Sequence, residues 1–239
     1  FDVSWTGTVN KRDYVTIVPA GAKEGVYADY VRTDTNTEGQ ITAPATPGLY
    51  ELRYVLDEGG KTLATAPIEV VEPEVTVTGP AQVTTGAQFD VSWAGAVNPR
   101  DFITIVPSGA KEGTYADYVR IDTKTEGQLT APPEPGLYEL RYVLEEGRKT
   151  LASIAIEVTE PSLTLNGPTL VRAGTAVAIT WSETVNRKDY LTIVPAGADE
   201  GSYADYIRAG NATAGDLKAP TEPGLYEIRY VLETGRKTL

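Results

Sequence analysis

Residues 47–56 read PGLYELRYVL; the same ten letters return at 135–144, and PGLYEIRYVL stands at 223–232. The three tryptophans, Trp5, Trp93 and Trp181, keep the same step, as do the YADY segments at 27–30, 115–118 and 203–206. The chain is therefore written in a period of 88 residues, and the copies align without insertions. A period of this size marks repeated domains rather than the short, interdependent units of a solenoid. The boundaries read as repeat 1 at 1–73, repeat 2 at 74–161 and repeat 3 at 162–239.

Repeat 2 is complete and supplies the local reading. PGLYELRYVL places Tyr138, Leu140, Tyr142 and Leu144 on one face of a strand, with Glu139 and Arg141 opposite. QFDVSWA at 88–94 alternates in the same way, with Phe89, Val91 and Trp93 on one side. VTVT (75–78), DFITIVP (101–107), YADYVRI (115–121), GQLTAP (127–132) and LASIAIEV (151–158) are the other strand-like runs. Period-two alternation punctuated by Gly, Pro, Asn and Asp about every ten residues predicts an all-β fold: tandem antiparallel immunoglobulin-like sandwiches of about seven strands per repeat. No segment carries a helical stripe. EEGRK at 145–149 reads as a hairpin with Gly147 at positive φ. Trp5, Trp93 and Trp181, together with Tyr50, Tyr138 and Tyr226, read as core anchors, and the Pro-Gly-Leu-Tyr entrance has the form of a tyrosine corner.

Composition removes several activities. With a net charge of −12 the surface repels phosphate backbones and anionic headgroups, so nucleic acid is not an expected partner. There is no His and no Cys, which excludes His-dependent triads, thiolate nucleophiles and zinc–sulfur sites. No run of apolar residues is long enough for a membrane helix, so no membrane insertion is expected of this segment. An active site written three times over is an improbable design, and the expectation is of no enzyme and no cofactor.

The pattern W-x-G-x-V-N-x-R-D-[YF]-[VI]-T-I-V-P at 5–19 and 93–107, with YADYVR at 27–32 and 115–120 and PGLYELRY at 47–54 and 135–142, resembles the bacterial immunoglobulin-like tandem repeats of large surface or exported proteins. Some of those proteins also carry von Willebrand factor A domains. The paired cysteines of true immunoglobulin domains are absent. The resemblance implies a spacer that is extracellular or at the bacterial cell surface, or periplasmic.

Three full periods would need 264 residues, and the ends of the sequence fall inside repeats. Either this is a window on a longer array, or the end domains are completed by strands lent from neighbouring chains. The repeats join through Glu-Pro at 72–73 and 160–161 with no Gly/Ser spacer, which predicts stiff joints. The expected function is a structural segment of a stalk, fibre or filament whose identical chains or neighbouring repeats self-associate. The alternative is an adhesin-type module that recognises a glycan or a surface protein, with calcium as a stiffening ion. The contact candidates are Tyr27, Asp29, Tyr30 and Arg32, their counterparts Tyr115, Asp117, Tyr118 and Arg120, and Tyr203, Asp205, Tyr206 and Arg208, each set following a glycine-bearing loop expected to be mobile. Asp101, Glu112 and Asp117 are the calcium candidates, since oxygen ligands suit that ion.

Overall fold

The computed structural model describes all 239 residues. The chain is all-β and divides into two compact units, Phe1–Glu74 and Val75–Leu239. Repeat 1 supplies the first unit. Repeats 2 and 3, which the sequence reads as two domains, lie together in the second.

Repeat 1 contains β1 (Asp2–Ser4), β2 (Tyr14–Pro19), β3 (Tyr30–Arg32), β4 (Glu38–Gln40), β5 (Gly48–Val55) and β6 (Thr62–Val70). They form a pair β1-β4 and a sheet β3-β2-β5-β6. Repeat 2 contains β7 (Thr76–Thr78), β8 (Gln82–Thr84), β9 (Gln88–Ala94), β10 (Phe102–Pro107), β11 (Tyr118–Arg120), β12 (Glu126–Thr130), β13 (Gly136–Val143) and β14 (Thr150–Thr159). Its sheets run β12-β9-β7 and β11-β10-β13-β14-β8. Repeat 3 contains β15 (Leu165–Asn166), β16 (Ala176–Trp181), β17 (Tyr190–Pro195), β18 (Asp205–Arg208), β19 (Ala214–Lys218) and β20 (Tyr226–Val231), in sheets β15-β16-β19 and β18-β17-β20.

The pairing is antiparallel with one exception. The first strand of repeat 2 is broken at Gly79-Pro80: β7 pairs with β9 in one sheet, and β8 crosses to run parallel to β14 in the other. The sequence shows one strand there, and the structure places two short ones.

The core follows the alternation. Phe89, Val91 and Trp93 meet Ile103, Ile105, Tyr138, Leu140, Tyr142 and Ile156 between the two sheets of repeat 2. Trp5 and Trp181 occupy the same place in their own repeats. The hydroxyls of Tyr50, Tyr138 and Tyr226 donate to the carbonyls of Thr46, Glu134 and Glu222, four residues upstream, at 2.8, 2.9 and 3.0 Å. This is the tyrosine-corner bond, and it fixes the loop that enters the strand. Gly39, Gly127 and Gly215 sit in strands because the sheets nearly touch there: a Cβ on Gly127 would lie 2.7 Å from Val119 Cγ2.

Each copy of the N-x-[RK]-D segment buries its carboxylate. Asp101 is wholly buried; it accepts from the Asn98 amide at 2.9 Å, the Tyr142 hydroxyl at 3.0 Å and the Glu145 amide at 3.0 Å. Asp13 and Asp189 hold equivalent networks. Burial pushes the Asp189 carboxyl above the usual range, with the amide of Glu233 and the Tyr230 hydroxyl opposing. Burial likewise raises the Tyr142 and Tyr230 phenols.

Candidate functional site

Arg141 lies on the face of β13 away from the core, yet only 6% of it is exposed. Its guanidinium donates to the carbonyls of Ala110 and Lys111 at 2.7 and 3.2 Å and to Glu139 at 2.9 Å, and Glu139 accepts from the Gly109 amide at 3.0 Å. The Ser108–Gly113 loop, expected to be mobile, is thereby tied to the sheet. The following segment is fastened by Thr104, whose hydroxyl donates to the Asp117 carbonyl at 2.8 Å and accepts from the Ala116 amide at 3.1 Å. YADYVRI is accordingly a strand only over Tyr118–Arg120; Tyr115 to Asp117 form the pinned approach to it.

This anchoring gathers three rings. Phe102 from β10, Tyr115 from the loop and Tyr118 from β11 meet edge to face, with centroids 5.9, 5.6 and 5.9 Å apart. Tyr14, Tyr27 and Tyr30 repeat the arrangement at 6.1, 5.5 and 5.9 Å. Tyr190, Tyr203 and Tyr206 do so at 6.3, 5.8 and 5.8 Å. The first ring of each trio is the floor; the two YADY tyrosines remain about half exposed.

Guanidinium groups cover the rings. Arg120 lies 5.5 Å from the Phe102 centroid and 5.4 Å from that of Tyr118, and donates to Glu145 at 2.9 Å. That hydrogen bond raises its pKa further and lowers that of Glu145. Arg32 and Arg208 make the same contacts, paired to Asp57 at 2.7 Å and Glu233 at 2.5 Å. Repeat 2 adds Arg148, 5.0 Å from Tyr115 and 5.6 Å from Phe102. Its counterpart Arg236 lines a depression of about 130 Å³ with Tyr190, Tyr203, Tyr206, Arg208 and Glu233. In repeat 1 the position is Gly60.

The tyrosines and arginines named from the sequence thus meet at one place in each repeat, and the aspartates do not join them. The Asp29, Asp117 and Asp205 carboxylates each accept a backbone amide, from Thr42, Thr130 and Lys218 respectively, all at 2.5 Å, and so tie the loop to the opposite sheet. Phe102, Tyr14 and Tyr190 were legible only as strand residues, and Arg148 only as part of a turn. No group of three His, Cys, Asp or Glu side chains is placed to hold a metal. The calcium candidates are occupied separately: Asp101 in its buried network, Glu112 on the Thr150 amide and Asp117 on Thr130.

No protein-family model matches the chain, and no curated protein matches it. Solved structures that are similar include the chicken CNTN1 FN1–FN3 domains (12% identity, covering 99% of this chain and 89% of that one, TM-score 0.25). A central fibronectin-III array of RIM-binding protein matches at 13% identity, covering 96% and 86%, TM-score 0.25. A Salmonella alpha-2-macroglobulin mutant matches at 10% identity, covering 97% of this chain and 21% of that one, TM-score 0.23. Likeness at this level assigns no family.

Proposed function

We propose that this chain is a non-catalytic structural segment of an extracellular bacterial stalk, fibre or filament, part of a repeat array with homotypic contacts. The observation that carries the reading is the joint between repeats 2 and 3. Asn186, 8% exposed, donates its amide to the Gly86 carbonyl at 2.9 Å. Leu232 packs on Gly86 so closely that a Cβ there would lie 2.8 Å from Leu232 Cδ2, and Pro133 packs on Gly235 in the same manner. Lys237 of repeat 3 reaches Glu160 at 3.1 Å and Glu134 at 3.7 Å. A seam of close packing plus a buried hydrogen bond resists bending in a way that a bare linker does not.

The test is a distance distribution between nitroxides at Lys124→Cys and Glu183→Cys, both exposed, in a chain that has no other cysteine. A single narrow distance that broadens in Asn186→Ala/Lys237→Ala supports the stiff segment; a broad distance in the unaltered joint sinks it. A second reading, an adhesin-type module at the cell surface, is favoured by the exposed ring-and-guanidinium clusters.

A further inference from the structure

Arg148 and Arg236 have φ of +53°, in the left-handed region that L residues with a Cβ avoid. All three hairpins take positive φ at two successive residues, Gly59–Gly60, Gly147–Arg148 and Gly235–Arg236, so the turn itself asks for it at both. In repeat 1 the strained position is glycine, Gly60 at φ +61°, and the hairpin closes equally well. The fold therefore gains nothing by arginine here. An arginine kept at a position where glycine would meet the turn's demand without strain is a pointer to a role for its side chain.

What the arginine supplies is a second cation. Repeat 2 places Arg120 and Arg148 around the single carboxylate of Glu145, and repeat 3 places Arg208 and Arg236 around Glu233. Each of these carboxylates is thus faced by two guanidinium groups, on a chain whose net charge is −12. In repeat 1 a single guanidinium, Arg32, faces Asp57. Ring walls and a guanidinium fork together suit a planar carboxylate attached to a compact ring. The depression of about 130 Å³ in repeat 3 is well below the roughly 300 Å³ at which pockets for drug-sized ligands begin. It admits one unit of a larger ligand, whereas the depression of about 40 Å³ among Phe102, Tyr115, Tyr118, Arg120 and Arg148 in repeat 2 admits only the carboxylate of such a unit. Weak one-unit sites recurring at a fixed period suit a polymer whose charge also recurs, because linked sites gain by avidity.

We propose that the clusters of repeats 2 and 3 each bind the carboxylate of one uronic-acid unit in an acidic polysaccharide, with Arg148 and Arg236 as the residues that confer the preference. The inference rests on the adhesin reading, and stands apart from the stiffness of the joint.

The test titrates the full chain with an oligogalacturonate of about ten units, by calorimetry and by the NMR shifts of tyrosine ring protons. The methyl-esterified oligomer and a poly-glutamate of equal charge serve as the other arms. The expected result is binding of oligogalacturonate alone, with perturbed rings in repeats 2 and 3 and affinity that falls as salt rises. Arg148→Gly/Arg236→Gly should weaken binding at least about tenfold, the loss of a charged hydrogen bond, while the melting temperature holds or rises. Gly60→Arg should raise the number of sites per chain from two to three. Unchanged affinity in the double glycine variant overturns the assignment. Equal binding of the esterified oligomer overturns the acidic-sugar class and leaves an adhesin of another specificity. Preference for poly-glutamate moves the ligand to acidic protein; no binding in any arm overturns the acidic-sugar site, and the adhesin reading itself falls only if a broad panel of neutral glycans and surface proteins also fails to bind.

Discussion

Trp93 and Trp181 hold the same place in successive repeats, yet their indole nitrogens differ. Trp181 Nε1 donates to Thr184 at 3.2 Å, whereas Trp93 Nε1 has no partner; repeat 2 has Ala96 at the Thr184 position, yet a threonine there is not sufficient, since Trp5 Nε1 is unpartnered although repeat 1 has Thr8. An unsatisfied buried donor costs more than an average hydrogen bond gains. Thr184→Ala, which strands the Trp181 donor, is therefore expected to destabilise repeat 3 by about 1–3 kcal/mol in urea unfolding. Trp93→Ala, which empties the centre of the core, should cost about 3–5 kcal/mol. The ring itself was legible from its place in an alternating strand; its missing partner was not, since that depends on which loop residue folds back over it. The buried aspartates show the same divide. N-x-R-D is visible as a repeated motif, but only the fold brings Tyr142 onto Asp101 from a strand 41 residues away.

Among elements, strands whose alternation is strict are read correctly to the residue: QFDVSWA is β9, Gln88–Ala94. The readings that shift are those where a side chain outside the pattern decides. β8 has three residues and no alternation, and exists because its backbone pairs with β14. Arg141 is buried because a loop closes over it, which no period can report. That loop gives a pH prediction. The Glu139 carboxyl sits below the usual glutamate range, held there first by the Gly109 amide and next by Arg141. A depressed carboxyl contributes stability above its unfolded pKa, and the contribution is lost as pH falls through the folded value. Carbon-13 titration of Glu139 should thus give a midpoint below that of an ordinary glutamate. Arg141→Gln should move it upward, and the Ser108–Gly113 loop should loosen on acidification through that midpoint. Asp189, whose carboxyl is raised, acts in the opposite sense: ionisation costs the folded state, and acid relieves that cost as pH falls towards the unfolded value.

At the scale of the molecule, repeats 2 and 3 share one compact unit, and their seam predicts joint melting. Calorimetry of the full chain should show the two repeats in one transition. Asn186→Ala strands the Gly86 carbonyl, at a cost of about 1–3 kcal/mol, and should split that transition in two; an unsplit transition would assign the coupling to the packing of Leu232 and Pro133 instead. The period made three sandwiches legible, and Glu-Pro made a stiff joint a fair expectation. The seam itself was hidden because its residues come from separate stretches of the chain, among them Gly86, Asn186 and Leu232 to Lys237, and no motif marks them as partners.

The crossing of β8 to β14 has a mechanical consequence. β8 lies near the start of repeat 2 and β14 at its end, and they run parallel over Gln82–Thr84 and Glu157–Thr159. A pull on the two ends drives these strands in opposite directions along their common axis. The ladder, continued by the Glu157 amide to the Ala81 carbonyl and the Thr85 amide to the Thr159 carbonyl, is then loaded in shear, all its bonds at once. An antiparallel pairing of first and last strands would be peeled open one bond at a time. Under tension applied through its ends, repeat 2 is built to hold until the whole ladder gives way together.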